Sequence, residues 1–274
     1  MKNKFLYIAL GGIAIMVIGW VGFTKHQPEE LQAKPSETKA QIMADDLYQQ
    51  ALVFDKNGKL KEARETYKQL MAEYPDFEKI DTIQKSLEEV NMHLIFSNAP
   101  TDKAVIHEVK AGDTLGGLSK KYGTTVELIK ISNHLKNDVI RIGQKLRVWT
   151  GKFNIYVDKS QNILILKDEN EVVKVYDVST GQNGSTPVGD FKITSRLVDP
   201  VWFNRGVVVP PESPQNVLGT RWMGFDIPGY GIHGTVEPET IGQQVTAGCV
   251  RMKNQDIEEL YSLVPVGTQV VIVN

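Results

Sequence analysis

The sequence predicts a multidomain chain: an N-terminal transmembrane helix, a small α-helical segment, a βααβ module and a mostly-β C-terminal domain. Three observations predict this class. An uncharged run opens the 274-residue chain, apolar residues then recur at helical spacing, and closely spaced strands fill the last part. The expected boundaries are an anchor at 1–24, a linker at 25–40, the helical segment at 41–97, the module at 105–149 and the β domain at 151–274.

The anchor is predicted from an uncharged run of nineteen residues at 5–23, FLYIALGGIAIMVIGWVGF. A helix of that length spans roughly 30 Å, the hydrocarbon thickness of a bilayer. Lys2 and Lys4 precede the run, which predicts a cytoplasmic N-terminus and an extracytoplasmic remainder. A cleaved signal peptide is the alternative, but the run is long for a signal core and no small-x-small site follows it. We therefore predict an uncleaved, single-pass anchor.

The composition is that of a soluble ectodomain, with 41% hydrophobic residues, 23% charged residues and a formal net charge of −2. A nucleic-acid binder needs a basic face, so this balance argues against a nucleic-acid partner. The single cysteine, Cys249, excludes an internal disulfide framework and every multi-cysteine metal site. Such a thiol is buried and inert, paired between chains, or used for chemistry.

The linker and the helical segment follow. Residues 25–40 are polar and contain two prolines, which predicts a flexible spacer. Helical periodicity over 41–97 is interrupted at 57–58 and 75–76, which predicts two antiparallel helices and a third helix over 80–96. The pattern resembles one tetratricopeptide-type repeat, whereas a solenoid needs several. A helical spacer and a groove that binds a protein partner both remain open.

Residues 105–149 have the pattern of a βααβ unit, with strands at both ends and a helix over 115–122. The helix-capping residues behind this expectation are Asp113 or Thr114 for the first helix, Gly123 at its end, and Thr124 or Thr125 for the second. A closing strand is expected within 140–149, after a turn at Gly143 and Gln144.

The order of four short signposts in this unit resembles a LysM domain. They are GDTL at 112–115, YG at 122–123, Asn133 with Leu135, and GQKL at 143–146. The resemblance implies binding to glycans that contain N-acetylglucosamine, which in a bacterium means peptidoglycan. A LysM fold kept only as a spacer is the alternative.

The C-terminal domain is predicted to be mostly β because short apolar, β-branched segments are separated by turn residues. The expected strands lie at 153–157, 162–166, 171–176, 191–193 and 269–273, and one helix is expected at 254–264.

The candidate site lies in IHGTVEPETIGQQVTAGCVRM at 232–252, where His233 and Cys249 are separated by glycine-punctuated chain. A thiol is mostly neutral at pH 7, and a nearby imidazole can take its proton. Gly248 permits close approach of a reacting carbonyl, and amides near Cys249 are placed to hold an oxyanion. These residues predict a Cys–His acyl-transfer site. One cysteine and one histidine fall short of a metal site, and an inert buried cysteine remains an alternative.

Several separated motifs in this half resemble the signature of the L,D-transpeptidase (YkuD-type) catalytic domain. They are STPVGDF at 185–191, LGTRWM at 218–223, IHGT at 232–235, Gly242, and TAGCVRM at 246–252. The likeness covers about residues 151–274. Thr246 stands where the family's pattern usually has serine, so a hydroxyl is kept and a methyl group is added.

By this resemblance, Cys249 attacks the carbonyl of the diamino acid in a peptidoglycan stem tetrapeptide and releases the terminal D-alanine. His233 is the base, oriented by the carbonyl of Gly234. The acyl group then passes to an amine of a neighbouring stem, forming a 3→3 crosslink. In the L,D-carboxypeptidase alternative it passes to water. Neither a metal nor another cofactor is implied.

The resemblance also assigns supporting residues around this pair. Gly248 and Thr246 belong to the catalytic turn, Arg251 holds the site together or meets substrate charge, and Tyr230 and Thr235 line the groove. The implied location is the bacterial cell membrane, with the catalytic domain on the cell-wall side. A catalytically idle scaffold that binds the wall is the second class of function left open.

Overall fold

The computed structural model describes residues 35–204 and 206–274. The predicted anchor at 1–24 and the predicted linker as far as residue 34 lie outside the described residues. Among the helices of the described ranges, none combines the length and the apolar composition that a membrane crossing requires. The described residues up to Leu87 form one compact unit, and Glu88–Asn274 form a second.

The first unit contains helix α1 (Pro35–Lys56), helix α2 (Leu60–Glu73) and the beginning of α3 (Ile80–Phe96). The two breaks predicted by the sequence are therefore confirmed. The predicted linker is corrected over 35–40, because these residues are already helical. Proline is tolerated in the first turn of a helix, where its missing N–H has no intrahelical acceptor, and the residues after it include good helix formers.

The βααβ module is confirmed, with β1 (Ala104–Glu108), α4 (Leu115–Tyr122), α5 (Val126–Ser132) and β2 (Lys145–Trp149). The two strands pair antiparallel. Both helices are capped by threonine hydroxyls, since Thr114 Oγ1 accepts from the N–H of Gly117 at 3.0 Å and Thr125 Oγ1 accepts from that of Leu128 at 2.9 Å. The closing strand begins at Lys145, directly after the predicted turn at Gly143 and Gln144.

The end of α3 belongs with this module and not with the first two helices. Arg147 on β2 is buried and donates to the carbonyls of Leu94 at 2.8 Å, Ile95 at 3.0 Å and Ala99 at 3.1 Å. A guanidinium satisfies carbonyls that a helix C-terminus leaves without partners. The compact unit that contains the module thus begins at Glu88, inside α3 and ahead of the predicted boundary at residue 97.

The C-terminal domain is mostly β, as predicted. Its elements in chain order are β3 (Phe153–Asp158), β4 (Ile163–Asp168), β5 (Glu171–Asp177), β6 (Thr180–Gly181), β7 (Gly189–Val198), β8 (Trp202–Asn204), β9 (Val207–Val209), β10 (Arg221–Phe225), β11 (Gly231–His233), β12 (Gln244–Thr246), β13 (Val250–Arg251), α6 (Asn254–Leu263) and β14 (Gln269–Val273). Eight of the strands form one sheet in the order β13-β11-β10-β7-β14-β3-β4-β5. Strand β13, which follows Cys249, therefore lies at one edge of that sheet.

The βααβ module packs on the β domain through helix α5. Thr125 Oγ1 donates to the carbonyl of Ser262 at the end of α6. Arg196 on β7 donates to Glu127 on α5 at 3.3 Å and to the carbonyl of Tyr261 at 2.5 Å. Leu128 of α5 is fully buried in the same apolar cluster as the sheet. The module keeps an apolar cluster of its own and contributes Leu128 and Trp149 to that of the β domain.

Candidate active site

The fold brings His233, at the end of β11, and Cys249, in the bend immediately before β13, to the same edge of the sheet. Strands β11 and β13 run parallel, with Ile232 opposite Val250 and His233 opposite Arg251. Ile232 and Val250 both point into the core. Because side chains alternate along a strand, residues next to that pair face the opposite side. The side chain of His233 is thus turned away from that of Ile232.

The ring of His233 is buried and held in one orientation. Its Nδ1 lies 2.7 Å from the carbonyl oxygen of Gly234, and the indole of Trp222 stacks on it with centroids 6.0 Å apart. A carbonyl only accepts, so Nδ1 carries the proton and Nε2 keeps a lone pair. Burial lowers the pKa of His233 to about 4, with a further contribution from the charge of Arg251 and against the effect of the Gly234 hydrogen bond. The imidazole is neutral near pH 7.

Cys249 is half-buried, and its Sγ donates to the carbonyl of Gly229 at 3.5 Å. Burial raises the pKa of this thiol, while a backbone hydrogen bond from Gly231 and the charge of Arg251 act in the opposite direction. A low-dielectric site disfavours the charged form of both groups. The resting pair is therefore thiol and imidazole, so the sulfur becomes a nucleophile when His233 takes its proton.

The turn before the cysteine is built by Gly248 and Thr246. Gly248 has φ +138°, and a Cβ there would lie 2.7 Å from Tyr230 Cε1. The Thr246 hydroxyl donates to the carbonyl of Cys249 at 2.6 Å and accepts from the N–H of Gly248 at 3.2 Å. The sequence expectation that this hydroxyl holds the turn agrees with these contacts. Tyr230 lies beside the turn, packed against the edge of the core.

The side chain of Arg251 forms hydrogen bonds to the neighbouring loop, which contains Glu237 and Thr240. It is buried, and its guanidinium donates to Glu237 Oε2 at 2.8 Å and to Thr240 Oγ1 at 3.0 Å. Its backbone exchanges two 2.8 Å hydrogen bonds with Ser179. Of the two roles expected for Arg251, this geometry favours the one that holds the site together. The Nε atom of Arg251 is buried and has no hydrogen-bond partner among the described residues.

Thr235 is also turned toward the loop. It is buried, its hydroxyl accepts from the N–H of Glu237 at 2.9 Å, and its own N–H donates to Asn254 Oδ1 at 3.0 Å. The hydroxyl of Thr235 thus holds the 233–237 turn. The role in substrate binding expected for Thr235 stays a prediction.

Three residues of the site were not singled out in the sequence: Trp222, Glu237 and Asn254. Trp222 lies within one of the motifs, but nothing local indicates that it stacks on His233. Glu237 is one of several acidic residues in an exposed loop. Asn254 lies two positions after the last motif residue, Met252, and that proximity was the one available signal.

The comparisons with known proteins agree with this geometry. The family model for the L,D-transpeptidase catalytic domain (YkuD) matches residues 152–272, and that for the LysM domain matches residues 107–149. "Putative L,D-transpeptidase YqjB" of Bacillus subtilis is 40% identical over 124 residues, which make up 43% of this chain and 69% of that protein. "Putative L,D-transpeptidase YkuD" of the same species is 31% identical over 173 residues, or 61% of this chain and 97% of that protein.

Among solved structures, an L,D-transpeptidase from Mycobacterium smegmatis is 18% identical, with a TM-score of 0.39. The aligned part covers 49% of this chain and 65% of that one, slightly less than two thirds of its length. The family assignment rests instead on the matches in sequence, one of which spans nearly the whole of its relative. The chain belongs to the YkuD-type L,D-transpeptidase family and carries a LysM domain beside the catalytic one.

Proposed function

We propose that this protein is a peptidoglycan L,D-transpeptidase with Cys249 as nucleophile and His233 as general base. The observation that carries the proposal is the hydrogen bond between His233 Nδ1 and the Gly234 carbonyl, at 2.7 Å. It leaves Nε2 as the basic nitrogen, the atom to which we assign the proton of Cys249. A neutral imidazole beside a neutral thiol is the arrangement that general-base activation requires.

In the first half-reaction, the sulfur of Cys249 attacks the carbonyl carbon of the stem diamino acid as its proton moves to His233. The carbon–nitrogen bond to D-alanine then breaks, and the departing amine takes the proton from the imidazolium. A thioester remains on the enzyme. We assign stabilisation of the oxyanion that forms on the way to the backbone N–H of Cys249, because the N–H of Gly248 is bound to the Thr246 hydroxyl.

In the second half-reaction, an amine of a neighbouring stem attacks the thioester and gives a proton to His233. The carbon–sulfur bond breaks, the thiol regains its proton, and a 3→3 crosslink is formed. If water attacks in place of the amine, the same steps give a shortened stem and an L,D-carboxypeptidase. The nature of the acceptor, not the catalytic pair, decides between these products.

The catalytic proposal is tested with purified Cys249→Ala and His233→Ala proteins on a disaccharide-tetrapeptide substrate. Both variants should lose D-alanine release, and Cys249→Ala should also lose covalent labelling by an acylating β-lactam, measured by mass spectrometry. His93→Ala is the matched control, because His93 is an exposed histidine on α3. Release of D-alanine by Cys249→Ala would refute the mechanism. The masses of the products distinguish crosslinking from hydrolysis.

We also propose that the LysM domain binds the glycan strand of peptidoglycan. The turn before β2 carries two exposed apolar side chains, Val139 and Ile142, beside the polar side chains of Asn137, Arg141 and Gln144. Apolar surface edged by a few hydrogen-bonding groups is the composition that small-ligand sites share. This surface supports a sugar-binding role.

The location is proposed from the sequence alone. The uncharged run at 5–23 and the lysines before it support an N-terminal anchor that holds the enzyme at the outer face of the bacterial membrane. Fractionation of the full-length chain tests this, because an anchored protein stays with the membrane pellet after a high-salt wash. Recovery of the mature protein in the soluble fraction, shortened at its N-terminus, would identify a cleaved signal peptide instead.

A further inference from the structure

We infer that Asn254 is a positioning residue for the general base: its side chain fixes the peptide group whose carbonyl orients His233. The inference rests on the proposed role of His233. Asn254 is the first residue of α6 and follows the nucleophile's strand by three positions. It therefore joins the end of the Cys249 strand to the loop that follows the His233 strand.

The contact is made to one specific peptide unit. The C=O of Gly234 and the N–H of Thr235 belong to the same planar group and point in opposite directions. The C=O accepts from His233 Nδ1 at 2.7 Å, while the N–H donates to Asn254 Oδ1 at 3.0 Å. Asn254 thus holds the plane from the side opposite the imidazole. A hydrogen bond at the N–H also polarises the carbonyl and strengthens it as an acceptor.

The same oxygen also holds a second strand end. Asn254 Oδ1 accepts from the N–H of Thr220 at 3.2 Å, immediately before β10. Strand β10 carries Trp222, whose indole stacks on the imidazole. One side-chain oxygen therefore holds two segments in place: the Gly234–Thr235 peptide, which orients the His233 ring, and the start of β10, whose Trp222 stacks on that ring.

The surroundings are shaped to admit this amide. A Cβ at Gly219 or at Gly234 would collide with Asn254 Oδ1, and Gly219 has φ +63°, a conformation that glycine adopts without strain. Two glycines from different loops leave the space that the carboxamide fills. The need to leave room for Asn254 Oδ1 accounts for glycine at positions 219 and 234.

The charges around the imidazole allow a second, independent test, namely the pH at which activity is lost in acid. Arg251 on β13 is the charged group that acts on His233, Glu237 is paired with that guanidinium, and the neighbour from β10 is the uncharged Trp222. A carboxylate at position 254 keeps the acceptor oxygen and adds a negative charge next to the Gly234 peptide. Two N–H donors and the start of α6 stabilise that charge. An anion there favours the imidazolium and raises the pH at which activity is lost in acid.

The experiment compares Asn254→Leu and Asn254→Asp in the full chain, with kcat and KM for D-alanine release measured from pH 3.5 to pH 8. Asn254→Leu should lower kcat by about ten- to a hundred-fold, as expected when a transition-state hydrogen bond is lost, and change KM little. Asn254→Asp should keep kcat within a few-fold and move the acid limb to higher pH. Asn91→Leu is the matched control, because Asn91 is a buried asparagine that bonds Val173 on β5, at the opposite edge of the sheet.

The outcomes separate this inference from the catalytic proposal. If His233→Ala is inactive but Asn254→Leu has the wild-type kcat, the inference about Asn254 is wrong and the general base stands. If His233→Ala is active, the catalytic proposal itself fails. Adding Asn254→Leu to His233→Ala should cause no further loss, because the asparagine acts through the imidazole. Should Asn254→Leu fail to fold, an unmoved acid limb in Asn254→Asp overturns the inference by itself.

Discussion

The hydroxyl of Thr246 donates to the carbonyl of Cys249 across 2.6 Å and accepts from the N–H of Gly248 at 3.2 Å. Thr246 thus closes the turn that precedes Cys249. Its methyl group fits within the buried space at that position. The hydrogen-bonding group, which serine shares, is the part of the side chain that the turn uses.

Thr246→Ser should therefore retain activity, whereas Thr246→Val, which keeps the shape and loses the hydroxyl, should lose most of it. A buried carbonyl and N–H left without their partner cost roughly 1–3 kcal/mol, or about ten- to a hundred-fold in rate if felt in the transition state. Acylation rates with a β-lactam, together with melting temperatures, measure both variants. A fully active Thr246→Val variant would show that the hydroxyl of Thr246 has no role in catalysis.

The pH dependence of acylation should show an acid limb near pH 4. Burial lowers the pKa of His233 to about 4, so the imidazole remains a free base well below the usual histidine range. Activity should be nearly constant from pH 7 to pH 5 and fall only as His233 becomes protonated. Acylation rates between pH 3.5 and pH 7, with folding followed by circular dichroism, test this. A half-maximal rate near pH 6.5 would mean that the ring is not buried as described.

Folding stability should also depend on His233 in acid. Its pKa is lower in the folded state, about 4, than the ordinary value of 6.5, so the unfolded chain binds this proton more readily. The penalty is absent above pH 6.5, grows as the pH falls, and reaches about 3 kcal/mol near pH 4. Denaturant unfolding of the wild type and of His233→Gln at pH 7 and pH 4.5 measures the part of the stability loss that is due to His233. The glutamine variant should lose less stability over this interval, and equal losses would contradict the prediction.

Retention on insoluble peptidoglycan should depend on the exposed turn of the LysM domain. Ile142 is 75% exposed beside Val139, so Ile142→Asp should leave the fold intact and weaken pelleting of the soluble part of the chain with the polymer. Ile106→Asp is the matched control, because Ile106 is 67% exposed on β1. Equal retention of wild type and Ile142→Asp would place glycan binding elsewhere or show that the module is a spacer.

The sequence predicted most accurately those features that local chemistry determines. Helix α4 begins after Thr114 and ends before Gly123, because a hydroxyl cap and a left-handed glycine are local signals. The prediction that His233 and Cys249 act as a pair came from short motifs, and the strands next to these two residues do lie side by side. Neither inference required knowledge of which strands pair.

Contacts between distant positions were not predictable in this way. Arg147 bonds Ile95 across 52 positions, and nothing around either residue indicates that the helix end and strand β2 meet. Asn254 reaches Thr220 across 34 positions for the same reason. Such contacts are decided by the order of strands in the sheet, which follows from the packing of the whole domain and not from any one segment.

The raised pKa of Cys249 also affects how the enzyme survives between turnovers. Oxidants and alkylating agents attack the thiolate, and the first step toward sulfenic acid begins from that ion. The sulfur of Cys249 stays protonated until His233 takes its proton. Little thiolate is therefore present while no substrate is bound. The burial that makes the nucleophile depend on its base therefore also protects the chain's single thiol from chemical damage.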